Sequence, residues 1–122
     1  MNPGGVGLDL IEVERIERAL ERHPRLAARL FTDRELEYSA SKARPGRHLA
    51  ARFAAKEAVV KALGLGPGTA IRQIEVISGS PPSLELHDEV AWVADERGLE
   101  VKISLTHARE MAGAVAVAEA SA

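Results

Sequence analysis

Apolar and polar residues alternate strictly near the end of the chain, which predicts a half-buried β-strand. Charged or hydroxyl residues separate its apolar members, which are Leu99, Val101, Ile103 and Leu105. Shorter apolar stretches bounded by turn residues predict further strands. These lie at residues 6–11, 74–76 and 84–86, with a last strand near Val115 and Val117.

A helical period dominates the first half of the chain. The longest helix is predicted from Arg47 or His48 to Leu63, after a loop at residues 44–46. Gly64 is expected as its C′ residue. One face of this helix carries small residues that allow a packed partner to approach closely: Ala51, Ala55, Ala58, Val59 and Ala62.

Shorter helices are predicted on both sides of the long one. The first follows from an apolar stripe formed by Val13, Ile16 and Leu20. Pro24 suits the first turn of a second helix, and Thr32 with Glu35 forms a capping box for a third. Asp88 is expected to cap a later helix that ends at Gly98. Helices gathered early and strands late predict an α+β fold, with a mostly antiparallel sheet packed around the long helix.

The composition excludes several classes of protein. The 122 residues fit a single domain spanning 1–122, and 46% hydrophobic content argues against intrinsic disorder. The absence of cysteine excludes disulfides and thiolate metal sites. No apolar run approaches the roughly 20 residues of a membrane helix, so a cytoplasmic protein is expected. Because aromatic residues make up only 3%, the core must be close-packed or shared with another subunit.

Charge is segregated, although the net charge is only −2. Residues 42–61 hold six basic residues and one acidic residue, whereas residues 83–100 have the reverse balance. The basic segment is either a solvated helix face or a binding surface for an anionic ligand. Nucleic acid is disfavoured by the negative net charge and the scarcity of aromatic rings.

Asp9, Glu57 and Lys61 are the residues with the clearest candidate chemistry. Asp9 lies in an otherwise apolar strand, where a charge is costly unless it is paired or bound to metal. Glu57 and Lys61 are four residues apart, which fits a plain helical ion pair. Alternatively, Asp9 and Glu57 hold Mg²⁺ while Lys61 contacts phosphate oxygens, as in a phosphoryl-transfer site. His107 lies at the end of a predicted strand, and this position alone indicates a surface residue.

Four segments in order along the chain resemble the holo-acyl-carrier-protein synthase family, the short single-domain 4′-phosphopantetheinyl transferases. The most specific is residues 52–58 (RFAAKEA), followed by Lys61 and Ala62. The resemblance spans nearly the whole chain and implies the fold of that family. The other three segments are residues 5–10 with Arg15 and Ile16, Phe31-Thr32 with Glu35 and Tyr38, and residues 104–107 (SLTH).

The resemblance implies transfer of the phosphopantetheine arm of coenzyme A to a serine of apo-acyl carrier protein, in fatty acid biosynthesis. Adenosine 3′,5′-bisphosphate is the implied leaving product. Asp9 and Glu57 match the family's Mg²⁺ ligands, with Mn²⁺ as the alternative metal. Glu57 is the implied base toward the carrier serine, and Lys61 the group that stabilises or protonates the leaving phosphate.

The same resemblance implies binding residues and an assembly. Arg15, extended by Arg18 and Arg22, corresponds to the surface that grips the acyl carrier protein. A homotrimer is implied, with active sites between adjacent subunits and no nucleic-acid or membrane partner. The implied coenzyme A contacts are Arg44, Arg52, Lys61, Gly64, Thr106 and His107.

Two departures from the family pattern bear on these expectations. Ala108 replaces the hydroxyl residue that commonly follows the histidine, and Pro45-Gly46 interrupts a loop that is often more basic. Two other functions stay open: a non-catalytic trimer that binds carrier proteins or nucleotides, and a phosphate-ester hydrolase that uses the same carboxylates.

Overall fold

Residues 4–121 form two antiparallel sheets and five α-helices. The computed structural model describes residues 4–121. The helices are α1 (Val13–Arg22), α2 (Leu26–Leu30), α3 (Asp33–Ala40), α4 (Pro45–Ala62) and α5 (Asp88–Arg97). The strands are β1 (Gly5–Glu12), β2 (Ile74–Ile77), β3 (Ser83–Leu86), β4 (Leu99–His107) and β5 (Met111–Ala120), and a short 3-10 helix covers Ile71–Gln73.

The larger sheet has three strands in the order β1-β5-β4, so the last strand lies between the other two. Asp9 of β1 lies opposite Ala114, and His107 of β4 lies opposite Ala112. Strands β2 and β3 form a separate hairpin. The central strand therefore separates β1, which carries Asp9, from β4, which carries His107.

Helix α4 packs directly on one face of this sheet, and small residues make the close approach feasible. A Cβ atom on Gly7 would lie 1.9 Å from the carbonyl oxygen of Ala58, and one on Gly5 would lie 2.1 Å from that of Ala62. The sheet side of this interface is also lined with small residues, all of them buried: Ala112, Ala114, Ala116 and Ala118. The predicted packing face of the long helix is thus confirmed.

The other face of the sheet is apolar and exposed. Val6, Leu8 and Leu10 of β1 are each about two-thirds exposed, and Val117 of β5 is 40% exposed. These side chains alternate with the residues that contact α4, since strand residues point to opposite faces in turn. We call this surface, formed by Val6, Leu8, Leu10 and Val117, the open face.

Two helix starts differ from their prediction. The stretch at residues 44–46 is not a loop: α4 begins at Pro45, because proline suits the first helical position, where its missing N–H is not needed. Asp88 is not a capping residue either. His87 is the N-cap and makes no side-chain capping bond, while Asp88 is the first helical residue, with φ of 49°.

Other local predictions hold. Thr32 and Glu35 form the complete capping box of α3. Gly64 follows α4 with φ of 64°, the left-handed backbone that favours glycine. A third helix start differs from its prediction: the second helix begins at Leu26, so Pro24 lies in the turn before it and not in its first turn. Among residues 4–121, no helix combines the length and apolar composition needed to cross a membrane.

Candidate active site

Asp9, Glu57 and Lys61 come together where β1 crosses α4. The Asp9 side chain is largely buried because its strand position faces the helix, and Glu57 and Lys61 lie one turn apart on that helix. The Lys61 ammonium donates hydrogen bonds to the carbonyl oxygen of Leu8 at 2.8 Å and to Oδ1 of Asp9 at 3.3 Å. In the described part of the chain, Lys61 therefore pairs with Asp9 and not with Glu57.

The electrostatics of this group favour a bound cation. Burial raises the pKa of Glu57, the negative charge of Asp9 raises it further, and Lys61 offsets part of this. The charges of Asp9 and Glu57 thus repel each other, and the half-exposed ammonium of Lys61 offsets only part of this repulsion. Carboxylate oxygens are the donors that Mg²⁺ prefers, and it also keeps several waters. The residues present therefore fit a hard divalent cation.

A cavity of about 480 Å³ opens beside the two carboxylates. Arg15 of α1 lies at its wall together with Asp9 and Glu57. The remaining wall is mainly apolar and combines side chains of β1, α1, α2 and α4: Leu10, Ile11, Ile16, Ala19, Leu26, Leu30 and Phe53. A molecule that reaches the carboxylates from this side meets an apolar surface and one cation.

Arg15, Arg18 and Arg22 share a second face of α1. They line a shallow groove with Glu12, Glu14 and His23. Arg18 pairs with Glu14 at 2.5 Å, an exposed contact of the i, i+4 type. The helix therefore presents arginines both to this groove and, through Arg15, to the cavity beside Asp9.

Arg52 lies in a second group of functional side chains, on the other side of α4. It is only 4% exposed, and its guanidinium carbon lies 4.3 Å from the centre of the Tyr38 ring. It donates to the carbonyl oxygen of His48 at 3.3 Å and to Oγ of Ser78 at 3.0 Å, while its Nε has no partner. Within residues 4–121, this buried cation has no carboxylate partner.

His48 connects this group to His107. Its ring lies 5.9 Å from that of Tyr38 and 5.8 Å from that of His107, both in edge-to-face geometry. Burial lowers the pKa of His48, and the positive charge of Arg52 lowers it further. Sequence reasoning assigned no role to His48. The signal was its spacing of four residues from Arg52, which places both on one side of the helix.

The remaining predicted coenzyme A contacts are dispersed. Thr106 is exposed on the same side of the sheet as the open face, whereas His107 points to the α4 side. Gly64 lies at the C-terminal end of α4 with open space beside its Cα. Arg44, at the N-terminal end of α4, is bound by Glu17. Within one subunit these residues do not line a single pocket with Asp9 and Glu57.

A further acidic cluster was not anticipated from the sequence. Glu75, Glu85 and His87 place three potential metal-ligand atoms within 4.8 Å of one another. The guanidinium of Arg34 already bonds to both carboxylates, at 3.0 and 2.8 Å. Burial raises the pKa of Glu75, but hydrogen bonds from Arg34, Thr32 and His87 outweigh it and lower the value to about 2. The protein's own cation thus pairs with both carboxylates of the cluster and offsets one of their two negative charges.

Known proteins resemble this chain over nearly its full length. Residues 5–116 match the family model of the 4′-phosphopantetheinyl transferase superfamily. A holo-[acyl-carrier-protein] synthase of Moorella thermoacetica is 49% identical over 119 residues, which cover 94% of this chain and 93% of that protein.

Two solved structures share the fold. The holo-[acyl-carrier-protein] synthase of Neisseria meningitidis superposes with a TM-score of 0.85 at 30% identity, covering 94% of this chain and 97% of that one. The ACPS–CoA complex of Chronobacterium ammoniagenes gives a TM-score of 0.86 at 26% identity, covering 98% of each chain. The fold class and the family resemblance predicted from the sequence are confirmed.

Proposed function

We propose, from the premise that the chain belongs to the 4′-phosphopantetheinyl transferase superfamily, that it transfers phosphopantetheine from coenzyme A to a serine of apo-acyl carrier protein. The observation that carries the proposal is the meeting of Asp9, Glu57 and Lys61 at the crossing of β1 and α4. Relatives named holo-[acyl-carrier-protein] synthase and a neighbour described as a CoA complex support the substrate pair.

Asp9 and Glu57 would hold Mg²⁺, or Mn²⁺ in its place. Bound there, the metal would neutralise charge on the pyrophosphate under attack. Glu57 is the proton acceptor for the carrier serine. The serine oxygen forms a bond to the phosphorus on the pantetheine side, and the bond from that phosphorus to the bridging oxygen breaks. The Lys61 ammonium stabilises the departing adenosine 3′,5′-bisphosphate.

In this proposal the nucleotide end of coenzyme A lies on the side of α4 that carries Arg52, and its pyrophosphate lies beside Asp9, Glu57 and Lys61 of an adjacent subunit, because the two groups lie on opposite sides of the helix. Within residues 4–121 this buried guanidinium has no ion-paired carboxylate, since Glu35 and Tyr38 offset only part of the cost of its burial, and an anionic ligand would supply a direct partner. His107 and Thr106 line the nucleotide from β4, and Gly64 borders it from the end of α4. Lys61 reaches the pyrophosphate.

The carrier protein approaches through α1. The arginines Arg15, Arg18 and Arg22 supply positive charge toward an acidic helix of the carrier. The cavity beside Asp9 and Glu57 has an apolar wall, and Arg15 borders it. The carrier serine enters this cavity to reach Glu57.

The active assembly is proposed to be a homotrimer. The open face exposes three large apolar side chains of β1 side by side with Val117, which favours burial against another subunit. His107 and Asp9 lie on strands separated by β5. In a trimer, His107 of one subunit would lie beside Asp9 of its neighbour. We place the enzyme in the cytoplasm and in fatty acid biosynthesis, with neither nucleic acid nor membrane as partner.

The test is transfer itself, read by intact mass of the carrier. The protein is incubated with coenzyme A, Mg²⁺ and apo-acyl carrier protein, and the carrier should gain the mass of one phosphopantetheine. Asp9→Ala and Glu57→Ala should each lower the rate by about 100-fold or more, since each removes a metal ligand. Asp33→Asn, which alters an exposed carboxylate of α3, is the matched control and should keep full activity.

Full activity in the Asp9→Ala or Glu57→Ala variant would contradict the metal assignment. Coenzyme A binding without transfer would indicate a non-catalytic binding protein. Release of products from coenzyme A without any acceptor protein would indicate a hydrolase.

A further inference from the structure

Arg44 makes an unusually complete set of contacts within its own chain. Its Nε and Nη2 donate to the two carboxylate oxygens of Glu17 at 3.1 and 2.9 Å. Its Nη1 donates to the carbonyl oxygen of Arg109 at 3.1 Å and lies 3.5 Å from the carboxylate of Glu110. All three guanidinium nitrogens are therefore engaged by α1 and by the β4–β5 turn.

Gly46 makes room for this arrangement. A Cβ atom at Gly46 would lie 2.2 Å from Cγ and 2.4 Å from Oε2 of Glu17. The carboxylate of Glu17 thus rests on the first turn of α4, where the helix dipole favours a negative charge. The hydrogen bond from Arg44 lowers the pKa of Glu17, which keeps it ionised. The glycine of Pro45-Gly46 is therefore part of this contact.

The turn that Arg44 holds lies next to His107. The amide of Ala108 donates to the carbonyl oxygen of Met111 at 2.8 Å, and the amide of Val13 donates to that of Glu110 at 2.8 Å. Arg44 adds a side-chain contact to the turn between these two backbone bonds. Its guanidinium consequently links the start of α4, the middle of α1 and the turn that follows His107.

We propose that Arg44 is a positioning residue, which Glu17 and Gly46 hold against the β4–β5 turn so that His107 is fixed, and that it does not bind the 3′-phosphate of coenzyme A. This inference rests on the proposed function for the role of His107. A phosphate at Arg44 would have to displace a bidentate carboxylate, whereas within residues 4–121 Arg52 is buried with an unpartnered Nε and no ion-paired carboxylate. The 3′-phosphate is therefore assigned to Arg52.

Two forms of the coenzyme A substrate distinguish a positioning role of Arg44 from a contact with the 3′-phosphate. Transfer is measured with coenzyme A and with dephospho-coenzyme A, which lacks the 3′-phosphate, for wild type, Arg44→Gln, Glu17→Gln and Gly46→Ala. If Arg44 is a positioning residue, each of the three substitutions should lower kcat/KM about tenfold with both forms of coenzyme A. The ratio of the two kcat/KM values should then stay within about twofold of the wild-type ratio. Asp33→Asn, another carboxylate on a helix first turn paired with an arginine, should change neither value.

A second readout does not depend on activity. Amide hydrogen exchange of Ala108 and Val13 is measured in the protein without cofactor. Both amides should exchange faster in Arg44→Gln, Glu17→Gln and Gly46→Ala, because the turn loses its side-chain anchor. Asp33→Asn should leave both rates unchanged.

A phosphate-binding Arg44 would give the opposite pattern. The preference for coenzyme A over dephospho-coenzyme A would collapse tenfold or more in Arg44→Gln, and Glu17→Gln would improve KM for coenzyme A. Either result, or unchanged exchange of both amides, overturns the proposal. If wild type transfers from neither cofactor, the proposed function fails, and the exchange rates still decide whether Arg44 fixes the turn.

Discussion

Among single residues, Arg52 is the clearest case of a side chain whose burial costs stability and whose charge is placed to bind a ligand. Its guanidinium is buried, contacts Tyr38 and Ser78, and has no carboxylate partner within residues 4–121. Burial lowers its pKa, which reflects the cost of keeping this charge out of water. A charge retained at such a cost suggests a role in binding an anion.

Replacement of Arg52 by methionine tests this directly. Arg52→Met should leave the melting temperature unchanged or raise it, since an unpaired buried charge is replaced by an apolar chain of similar length. The KM for coenzyme A should rise about tenfold or more, because a charge-assisted hydrogen bond to phosphate is lost. Thermal unfolding and steady-state transfer measure the two effects.

A marked fall in the melting temperature with unchanged KM would contradict this interpretation. Arg29→Met, on α2, is a matched arginine control and should alter neither quantity.

Residues of the site differ in how far the sequence could predict them. Asp9 was predictable because a carboxylate in an apolar strand needs a partner, and the strand alternation directs it toward α4. The contacts of His48 with Tyr38 and His107 were not predictable, since they join α3, α4 and β4. Contacts between elements distant in sequence are set by packing, which a local pattern does not encode.

At the scale of elements, a buried ion pair fixes the position of α4. The Lys56 ammonium donates to Glu35 at 2.8 Å and to the carbonyl oxygens of Ile74 and Ile71 at 2.6 and 3.3 Å. Glu35 also accepts hydrogen bonds from the backbone of Thr32 and of Val76. One carboxylate therefore joins the start of α3, the middle of α4 and strand β2.

Loss of the Lys56 ammonium should be severely destabilising. Lys56→Met leaves an unpaired, fully buried carboxylate and should lower the free energy of unfolding by about 3–5 kcal/mol. The double variant Lys56→Met/Glu35→Gln should be more stable than Lys56→Met, because the orphaned charge is removed. Urea unfolding of the three proteins measures this order, and a double variant less stable than Lys56→Met would contradict it.

Hydrogen bonds from Thr32 and Arg34 to Glu75 join α3 to the β2–β3 hairpin. They should make the free energy of unfolding depend on pH in the acid range. The pKa of Glu75 is lowered in the folded protein from 4.5 to about 2, so its ionised form contributes stability above pH 4.5. That contribution should be lost progressively as the pH falls from about 4.5 to about 2. Glu75→Gln should therefore be less stable at pH 7 and lose less stability over this range.

Glu85→Gln is the matched control, since its half-exposed carboxylate pairs with the same Arg34. It should unfold with nearly the acid dependence of wild type. Equal acid dependence in Glu75→Gln and wild type would exclude this role for Glu75.

Element boundaries show why prediction from sequence was incomplete. The capping box of Thr32 and Glu35 is local chemistry and was predictable. Glu17 of α1 rests against Gly46 in the first turn of α4, a contact with another helix that the local sequence does not reveal. Asp88 was expected to cap α5, but it is the first residue of that helix and His87 takes the cap position.

At the scale of the whole molecule, close packing of small residues explains how a chain with few aromatic residues sustains its fold. One side of the sheet is filled by α4 with closely packed alanines, while the other exposes Val6, Leu8 and Leu10. Burial of these side chains between subunits would add apolar core that one chain lacks. The composition had predicted either close packing or a shared core, and the structure supplies the first.

The proposed trimer depends on the open face and can be tested there. Leu8→Glu should dissociate the assembly to monomers, because a charge would be buried in an apolar interface. Trp92→Glu changes a side chain of comparable exposure on α5, outside the open face, and should leave the molar mass unchanged. Sedimentation equilibrium measures both, and a monomeric, fully active wild type would refute the shared assembly.

The central claim is that this chain is a phosphopantetheinyl transferase that acts on a carrier protein. The most direct measurement is the intact mass of apo-acyl carrier protein after incubation with the protein, coenzyme A and Mg²⁺. The carrier should gain the mass of one phosphopantetheine, and this gain should be slowed by about 100-fold or more in Glu57→Ala. A carrier of unchanged mass, with coenzyme A either intact or hydrolysed, would contradict it.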